Sequence, residues 1–185
     1  MRRSISTFAI VVISLTAGCG VPSNSGEPTE AGAERQILAE GIFMDRDGAE
    51  LGTVHFIQDK GAAIIDFSIA GLRSGEHAIH LHTTGLCEAP EFVSAGGHLN
   101  PSGATHGSLS EGGKHLGDLL NIELPGTGSL AQQIVIDGDP ASIQSAIFDE
   151  DRTSVVIHAD RDDYMTDPAG NAGPRIACAV LNPTS

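Results

Sequence analysis

The sequence predicts an all-β fold, an antiparallel sandwich or flattened barrel. Its apolar runs are short, rich in Val and Ile, and bounded by Gly, Asp and Asn, as in strands joined by tight turns. The chain contains 23 Gly, no Trp and only 4% aromatic residues. Many short strands interrupted by two long irregular stretches are typical of antiparallel sandwiches and barrels. A length of 185 residues favours one such domain rather than two.

The chain begins with the pattern of an export signal. Arg2 and Arg3 precede the apolar run FAIVVISL at 8–15, which is too short to span a bilayer. Small residues follow, and Cys19 comes directly after Ala-Gly. This arrangement resembles the lipobox of bacterial lipoproteins, in which the signal is cut before the cysteine and its thiol is acylated. Because Thr16 stands where an aliphatic residue is commoner, an ordinary secretory signal with an incidental cysteine remains the alternative.

We therefore assign residues 1–18 to a signal peptide, 19–36 to a lipid-anchored flexible linker and 37–185 to the folded domain. The linker consists mainly of Gly, Pro, Ser, Glu and Ala without periodicity. From Cys19 onward, 8 basic residues stand against 24 acidic ones, a net charge of −16. So acidic a surface argues against nucleic acid as a partner and against electrostatic docking on anionic lipid, and it favours solubility.

The cysteine count is odd, which requires an explanation in an exported protein. There are three cysteines. If Cys19 carries lipid, Cys87 and Cys178 are left as a pair in an oxidising compartment.

Within the domain, turn residues separate a series of extended runs. The run at 37–45 and the run at 51–58 are joined by Arg-Asp-Gly-Ala, which predicts a hairpin. Irregular segments occupy 84–117 and 160–174, and no helix longer than a turn or two is expected. Loops this long in a compact domain are usually functional. Further strands are predicted at 62–70, 77–83, 119–124, 129–137, 143–148, 154–159 and 175–181.

Histidine is concentrated in one part of the chain. Of the 8 histidines, 6 fall between residues 75 and 118. His80 and His82 are two apart in an extended run, so their side chains point to one face of the sheet. Three imidazoles and a carboxylate follow with spacings that suit tetrahedral zinc, and one more histidine stands far downstream. These further candidate ligands are His98, His106, His115, Asp118 and His158.

Several motifs in order give the chain a recognisable likeness. They are GEHAIHLH at 75–82, SAGGHLNP at 94–101, HG at 106–107, HLGDL at 115–119 and GNAGPRIAC at 170–178. Together they resemble the copper-zinc superoxide dismutases, specifically a bacterial lipoprotein-type member, over about residues 37–181.

The resemblance implies a fold and two metal sites. The fold is an eight-stranded antiparallel Greek-key barrel, with both metals outside it under a zinc loop and an electrostatic loop. Copper would be held by His80, His82, His98 and His158. Zinc would be held by His98, His106, His115 and Asp118, so that His98 bridges the metals.

Four further residues receive roles from the same resemblance. Cys87 would pair with Cys178. Asp162 would accept hydrogen bonds from His80 and His106, which fixes the orientation of both rings. Arg175 would lie beside the open copper position and orient the anionic substrate by charge and hydrogen bonds.

The implied activity is dismutation of superoxide to oxygen and hydrogen peroxide on the extracytoplasmic side of a membrane. A non-catalytic copper- and zinc-binding or storage protein on the same fold is the alternative. The segment 160–173 has one Arg, four Asp and no Lys, whereas many family members carry lysines there. Attraction of superoxide is therefore expected to be weaker or to rest on Arg161, Lys114 and Arg175. The sequence leaves monomer and homodimer both open.

Overall fold

The computed structural model describes residues 34–185, which contain ten strands, one α-helix and one short 3-10 helix. The predicted signal peptide, Cys19 and nearly all of the linker lie outside the described residues. The elements are β1 (Gln36–Asp45), β2 (Glu50–Asp59), β3 (Ala62–Ala70), β4 (Gly75–His77), β5 (Ile79–His82), the 3-10 helix (Val93–Ala95), β6 (Ile122–Leu124), β7 (Ser129–Ile136), α1 (Pro140–Ile147), β8 (Ser154–His158), β9 (Arg175–Val180) and β10 (Asn182–Pro183).

Eight of these strands form one antiparallel sheet that curls around a single core. Its order is β5-β8-β9-β1-β2-β3-β7, with β10 also paired to β1, while β4 and β6 form a separate two-stranded ladder. The neighbours β3–β7 and β9–β1 are distant in sequence, so the chain crosses over between them. The predicted all-β fold and the hairpin across residues 46–49 are confirmed. No helix among residues 34–185 is long and apolar enough to cross a membrane.

Alternation along the strands decides which side chains enter the core. In β5, Ile79 and Leu81 pack inside the main hydrophobic cluster, so His80 and His82 stand on the opposite face. In β8, Val155 and Ile157 do the same, which places Val156 on the outer face. There Val156 packs against Phe92, Ala95 and Cys178 in a second, smaller cluster. The outer face at this edge of the sheet is thus covered rather than exposed to water.

The cover comes from the two long loops, which we call loop 1 (83–121) and loop 2 (159–174). Loop 1 connects β5 to β6 and contains the 3-10 helix, and loop 2 connects β8 to β9. They correspond to the two irregular stretches that the sequence predicts.

One predicted strand is wrong. The run 143–148 belongs mostly to α1, an eight-residue helix that begins at Pro140. The side chain of Asp139 accepts hydrogen bonds from the N–H and Oγ of Ser142, at 2.9 and 2.8 Å, and so caps the first turn. Ile143 and Ile147 are four residues apart and both are buried, so the helix covers the core with one face. The cap and the buried pair outweigh the strand preference of isoleucine.

Candidate metal centre

Loop 1 folds back onto β5 through backbone hydrogen bonds around Leu81. The N–H of Leu81 donates to Gly117 O at 3.0 Å, and its carbonyl accepts the N–H of Leu99 at 2.8 Å. The N–H of Gly117 in turn donates to Leu99 O at 2.9 Å. A Cβ atom at position 117 would lie 2.3 Å from Leu81 O, so this close approach requires glycine.

This clamp aligns the candidate ligands with one another. His98 forms an isolated antiparallel bridge with His82, and Asp118 forms one with His80. His158 ends the neighbouring strand β8, where its N–H donates to Ala78 O at 2.9 Å. Residues far apart in sequence therefore converge on the outer face of one sheet edge.

Four imidazoles make up the first group, in which one ring nitrogen of each residue lacks a partner. These atoms are buried, accept no hydrogen bond and donate none within the described part of the chain, although an unpaired buried nitrogen is costly. They lie within 4.8 Å of one another. A soft or borderline metal ion fits such a set of imidazoles, since it would satisfy all four at once. The atoms are Nδ1 of His80 and Nε2 of His82, His98 and His158.

The opposite nitrogens of two of these rings explain which atom is left free. His82 Nδ1 lies 3.0 Å from Gly96 O, and His158 Nδ1 lies 3.2 Å from Gly173 O. A carbonyl accepts only, so each Nδ1 carries the proton and each Nε2 presents its lone pair.

The second group surrounds Asp118. Its Oδ1 lies 2.8, 3.0 and 3.1 Å from Nδ1 of His98, His106 and His115 respectively. Its Oδ2 accepts the backbone N–H groups of Gly107 and His115 at 2.8 and 3.0 Å, which fixes the carboxylate. Three imidazole nitrogens and one carboxylate oxygen are a donor set that zinc prefers. His98 takes part in both groups through its two ring nitrogens.

A fully buried carboxylate, that of Asp162, connects the two groups without belonging to either. Its Oδ2 lies 2.8 Å from His80 Nε2, and its Oδ1 lies 3.0 Å from His106 Nε2. The side chain of Asn121 bonds both the N–H and the carbonyl of Asp162, each at 2.9 Å. Tyr164 donates its N–H to Asp162 Oδ1 at 2.6 Å, while its hydroxyl accepts the N–H of Asn121 at 2.7 Å. Both oxygens of Asp162 are thereby aimed at imidazoles.

Burial keeps three imidazoles of the first group, those of His82, His98 and His158, neutral. Loss of solvation lowers the pKa of His158 to about 3, with the nearby His80 adding to the effect. It lowers the pKa of His98 to about 4, although the hydrogen bond with Asp118 partly opposes this. The pKa of His82 is also well below its ordinary value, again mainly through burial. Neutral imidazole is the form that binds metal.

The carboxylates remain ionised for a different reason. Burial by itself would raise the pKa of Asp162, but hydrogen bonds with His80 and His106 lower it to about 2. The same opposition holds for Asp118, where the hydrogen bond with His98 and the N–H of Gly107 keep the pKa below its ordinary value. Each carboxylate therefore supplies a fixed negative charge close to the imidazoles.

Arg175 borders the first group from β9. Its Nη1 donates to Phe92 O at 2.5 Å and its Nη2 to Gly96 O at 2.6 Å. The Gly96 carbonyl is the same one that holds His82, so the guanidinium lies beside that ring. The disulfide between Cys87 and Cys178, 91 residues apart, ties this part of loop 1 to β9. The pairing that the resemblance implies is confirmed.

Comparison with known proteins agrees with this geometry. Residues 50–181 match the family model described as copper/zinc superoxide dismutase. The chain belongs to this family. It is 35% identical over 168 residues to superoxide dismutase [Cu-Zn] 2 of Aquifex aeolicus, covering 88% of this chain and 96% of that protein. It is 34% identical to a superoxide dismutase [Cu-Zn] of Caulobacter vibrioides, covering 77% and 84%.

A solved structure also resembles this superoxide dismutase family member. A SOD-like protein from Bacillus subtilis superposes with a TM-score of 0.73 at 31% identity, covering 80% of this chain and 100% of that one. The predicted all-β architecture is confirmed as a curled antiparallel sheet, which forms a half-barrel because its end strands β5 and β7 do not pair. The family uses copper and zinc, and the two ligand groups of this chain could hold such ions.

In this chain, the structure brings together all the residues that the sequence singles out as ligands. Two of the cations expected to attract superoxide are paired with acids instead. Arg161 Nη1 lies 3.6 Å from Glu76 Oε2, and Lys114 Nζ lies 3.0 Å from Asp137 Oδ2.

Sequence reasoning missed Asn121 and Tyr164, which orient Asp162. They lie 41 and 2 residues from it, and nothing in their own sequence surroundings indicates the contact.

Proposed function

We propose that this protein dismutates superoxide at a copper ion held by His80, His82, His98 and His158. The observation that carries the proposal is the convergence of four unpaired, buried ring nitrogens beside the guanidinium of Arg175. Zinc would be held by His98, His106, His115 and Asp118. Copper, when bound, would supply one-electron redox chemistry: one superoxide is oxidised to oxygen, and another takes up one electron and two protons to form hydrogen peroxide.

The chain's own residues prepare both sites. His98 offers Nε2 to one group and Nδ1 to the other, so it would bridge them as an imidazolate without ring protons. Asp162 holds His80 and His106 by their outer nitrogens, which fixes the tautomer of each. The prior alignment of these rings keeps the reorganisation on metal binding small.

Arg175 would bind the substrate. Two of its donors are occupied by backbone carbonyls, which fix the plane of the guanidinium. A guanidinium has five N–H donors, so others remain for an anion, and the charge persists at any physiological pH. Binding by charge and directed hydrogen bonds suits a small monoanion such as superoxide.

The test is reconstitution of the purified protein with copper and zinc, followed by a superoxide assay and metal analysis. The wild-type protein should bind both metals and turn over rapidly, while His158→Ala should lose copper and activity but keep zinc. His55→Ala is the matched control, because His55 lies in β2 outside both groups. Full occupancy by both metals without turnover would refute the enzyme and leave the metal-binding alternative.

We propose further that Cys19 carries a lipid and holds the domain at the extracytoplasmic face of a membrane. The lipobox-like sequence supports this proposal, and the disulfide fits an exported protein because such bonds persist in oxidising compartments. The expressed full chain should partition into a detergent phase, and Cys19→Ser should move it to the aqueous phase. Partitioning that survives this substitution would exclude the lipid.

A further inference from the structure

A cleft of about 320 Å³ opens beside Arg175, and the β1–β2 turn contributes an unexpected second arginine to it. The cleft lies between loop 1, loop 2 and this turn. Its lining residues are Arg46, Glu91, Val93, Gly173, Pro174 and Arg175.

Two residues that line this cleft, Gly173 and Arg175, also adjoin the proposed copper ligands. Gly173 presents the carbonyl that accepts the hydrogen bond of His158. Arg175 shares the Gly96 carbonyl with His82, and its positive charge contributes to lowering the pKa of His82 and of His158. An anion in the cleft therefore lies against two residues, Gly173 and Arg175, that adjoin His158 and His82.

Arg46 is fixed at this cleft but only weakly neutralised. Its Nε donates to Pro90 O at 3.0 Å, which anchors the side chain on loop 1. Its Nη2 lies 3.9 Å from Glu91 Oε1, and the two side chains are 44% and 72% exposed. An ion pair that is this long and this exposed contributes little stabilisation, so both charges still act on ions in the nearby solvent.

A local positive charge matters here because the rest of the chain is acidic. The formal net charge is −14. Of the cations expected from sequence to attract the substrate, only Arg175 lines this cleft, whereas Arg161 and Lys114 do not. A cleft with two guanidinium groups concentrates a small anion where the long-range field would repel it.

We propose that Arg46 is a positioning residue that, together with Arg175, draws superoxide and other small monoanions into this cleft, while Glu91 attenuates the attraction. This inference rests on the proposed function. It assigns opposite effects to two neighbouring side chains, neither of which belongs to a ligand group.

The experiment compares Arg46→Gln, Glu91→Gln and Lys60→Gln in the copper- and zinc-loaded protein. Lys60→Gln is the control. Lys60 is exposed and directly follows β2, whereas Arg46 lies before the start of β2. The control therefore removes one positive charge about 30 Å from Arg46, measured along the strand. At low ionic strength, kcat/KM should fall about two- to threefold in Arg46→Gln and rise about twofold in Glu91→Gln, as expected for one charge acting across a solvent-filled cleft. Lys60→Gln should change it by much less.

Ionic strength separates attraction from a structural effect. Both differences should disappear at about 0.5 M salt, where screening acts within about 4–5 Å. A difference that persists at high salt, or an Arg46→Gln rate equal to that of Lys60→Gln, overturns the proposal.

Azide binding provides a readout that does not require turnover. The dissociation constant of azide for the copper-loaded protein, measured by absorbance, should rise about two- to threefold in Arg46→Gln at low salt and fall in Glu91→Gln. If the wild type holds copper without turnover, the proposed function fails, and the azide constants still decide the role of Arg46. Equal azide dissociation constants in Arg46→Gln and Lys60→Gln would contradict the proposed role of Arg46.

Discussion

The carboxylate of Asp162 lies against the ring of His80, with 2.8 Å between Oδ2 and Nε2. Its other oxygen lies 3.0 Å from Nε2 of His106, a member of the other ligand group. One buried carboxylate on loop 2 thus orients a ring in each ligand group.

Asp162→Asn should weaken one or both of the proposed metal sites. An amide offers only one acceptor oxygen, so one of the two imidazole N–H groups would face an amide donor instead. We expect affinity for copper, zinc or both to fall about 10–100-fold, measured by competition with chelators of known affinity. The matched control is Asp149→Asn, since Asp149 is an exposed acid in the turn after α1. Unchanged affinities for both metals would contradict the linking role.

Gly170→Ala should damage the same carboxylate from the other side. Gly170 has a φ of +63°, and an added Cβ would meet Asp162 Oδ1 and His106 Nε2, well inside contact distance. Gly128→Ala is a suitable control, because that glycine also has a positive φ, +85°, but a Cβ there meets nothing within 4 Å. Both variants should lose about 1–2 kcal/mol of unfolding free energy from backbone strain.

In Gly170→Ala alone, the clash should lower the unfolding free energy by about a further 1–3 kcal/mol, measured by urea denaturation. This variant should also bind zinc more weakly. Equal destabilisation in the two variants would show that loop 2 moves aside without cost.

Replacing the disulfide should destabilise the protein substantially. Cys87 and Cys178 close a loop with a sequence separation of 91 residues. In the chain-entropy model, a crosslink of that length contributes about 4–5 kcal/mol. Cys87→Ser/Cys178→Ser should therefore lower the unfolding free energy by up to that amount, while Cys19→Ser, the control, should leave it unchanged.

The same double variant should also lower kcat/KM, because the disulfide ties to β9 the segment of loop 1 whose Phe92 and Gly96 carbonyls hold Arg175. Normal kcat/KM with reduced stability would mean that loop 1 holds Arg175 without the crosslink.

The metal-free protein should lose stability as the pH falls from about 7 to 4. The pKa of His98 is lowered to about 4 and that of His158 to about 3, both from an ordinary value of 6.5. The unfolded chain therefore binds protons first, so stability is present above pH 6.5 and decreases below it, by at most about 1.4 kcal/mol per pH unit for each histidine.

The check is the melting temperature of the metal-free protein across this range. His158→Gln should make its pH dependence shallower. If the melting temperature of His158→Gln depends on pH as steeply as that of the wild type, protonation of His158 does not contribute to the loss of stability.

The candidate ligand residues could be identified from the sequence because their chemistry is local. An imidazole or carboxylate keeps its donor properties wherever it is placed, and the two-residue spacing of His80 and His82 sets their common face in any strand. The N-terminal signals of α1 were also present, in Asp139 and Pro140, but the isoleucine-rich run favoured a strand. The β-strand preference of isoleucine did not predict the structure of this segment, because a helix buries one of its faces against the core.

Tertiary structure alone decided how these residues meet. Gly117 meets Leu81, 36 residues away, through a backbone hydrogen bond, and the side chain of Asn121 bonds the backbone of Asp162, 41 residues away. Arg46 reaches the cleft of Arg175 from a turn near the other end of the domain sequence. Sequence by itself determined which groups are candidate metal ligands. The fold determined which nitrogen of each ring is free and which charges face the substrate, since both depend on contacts between distant parts of the chain.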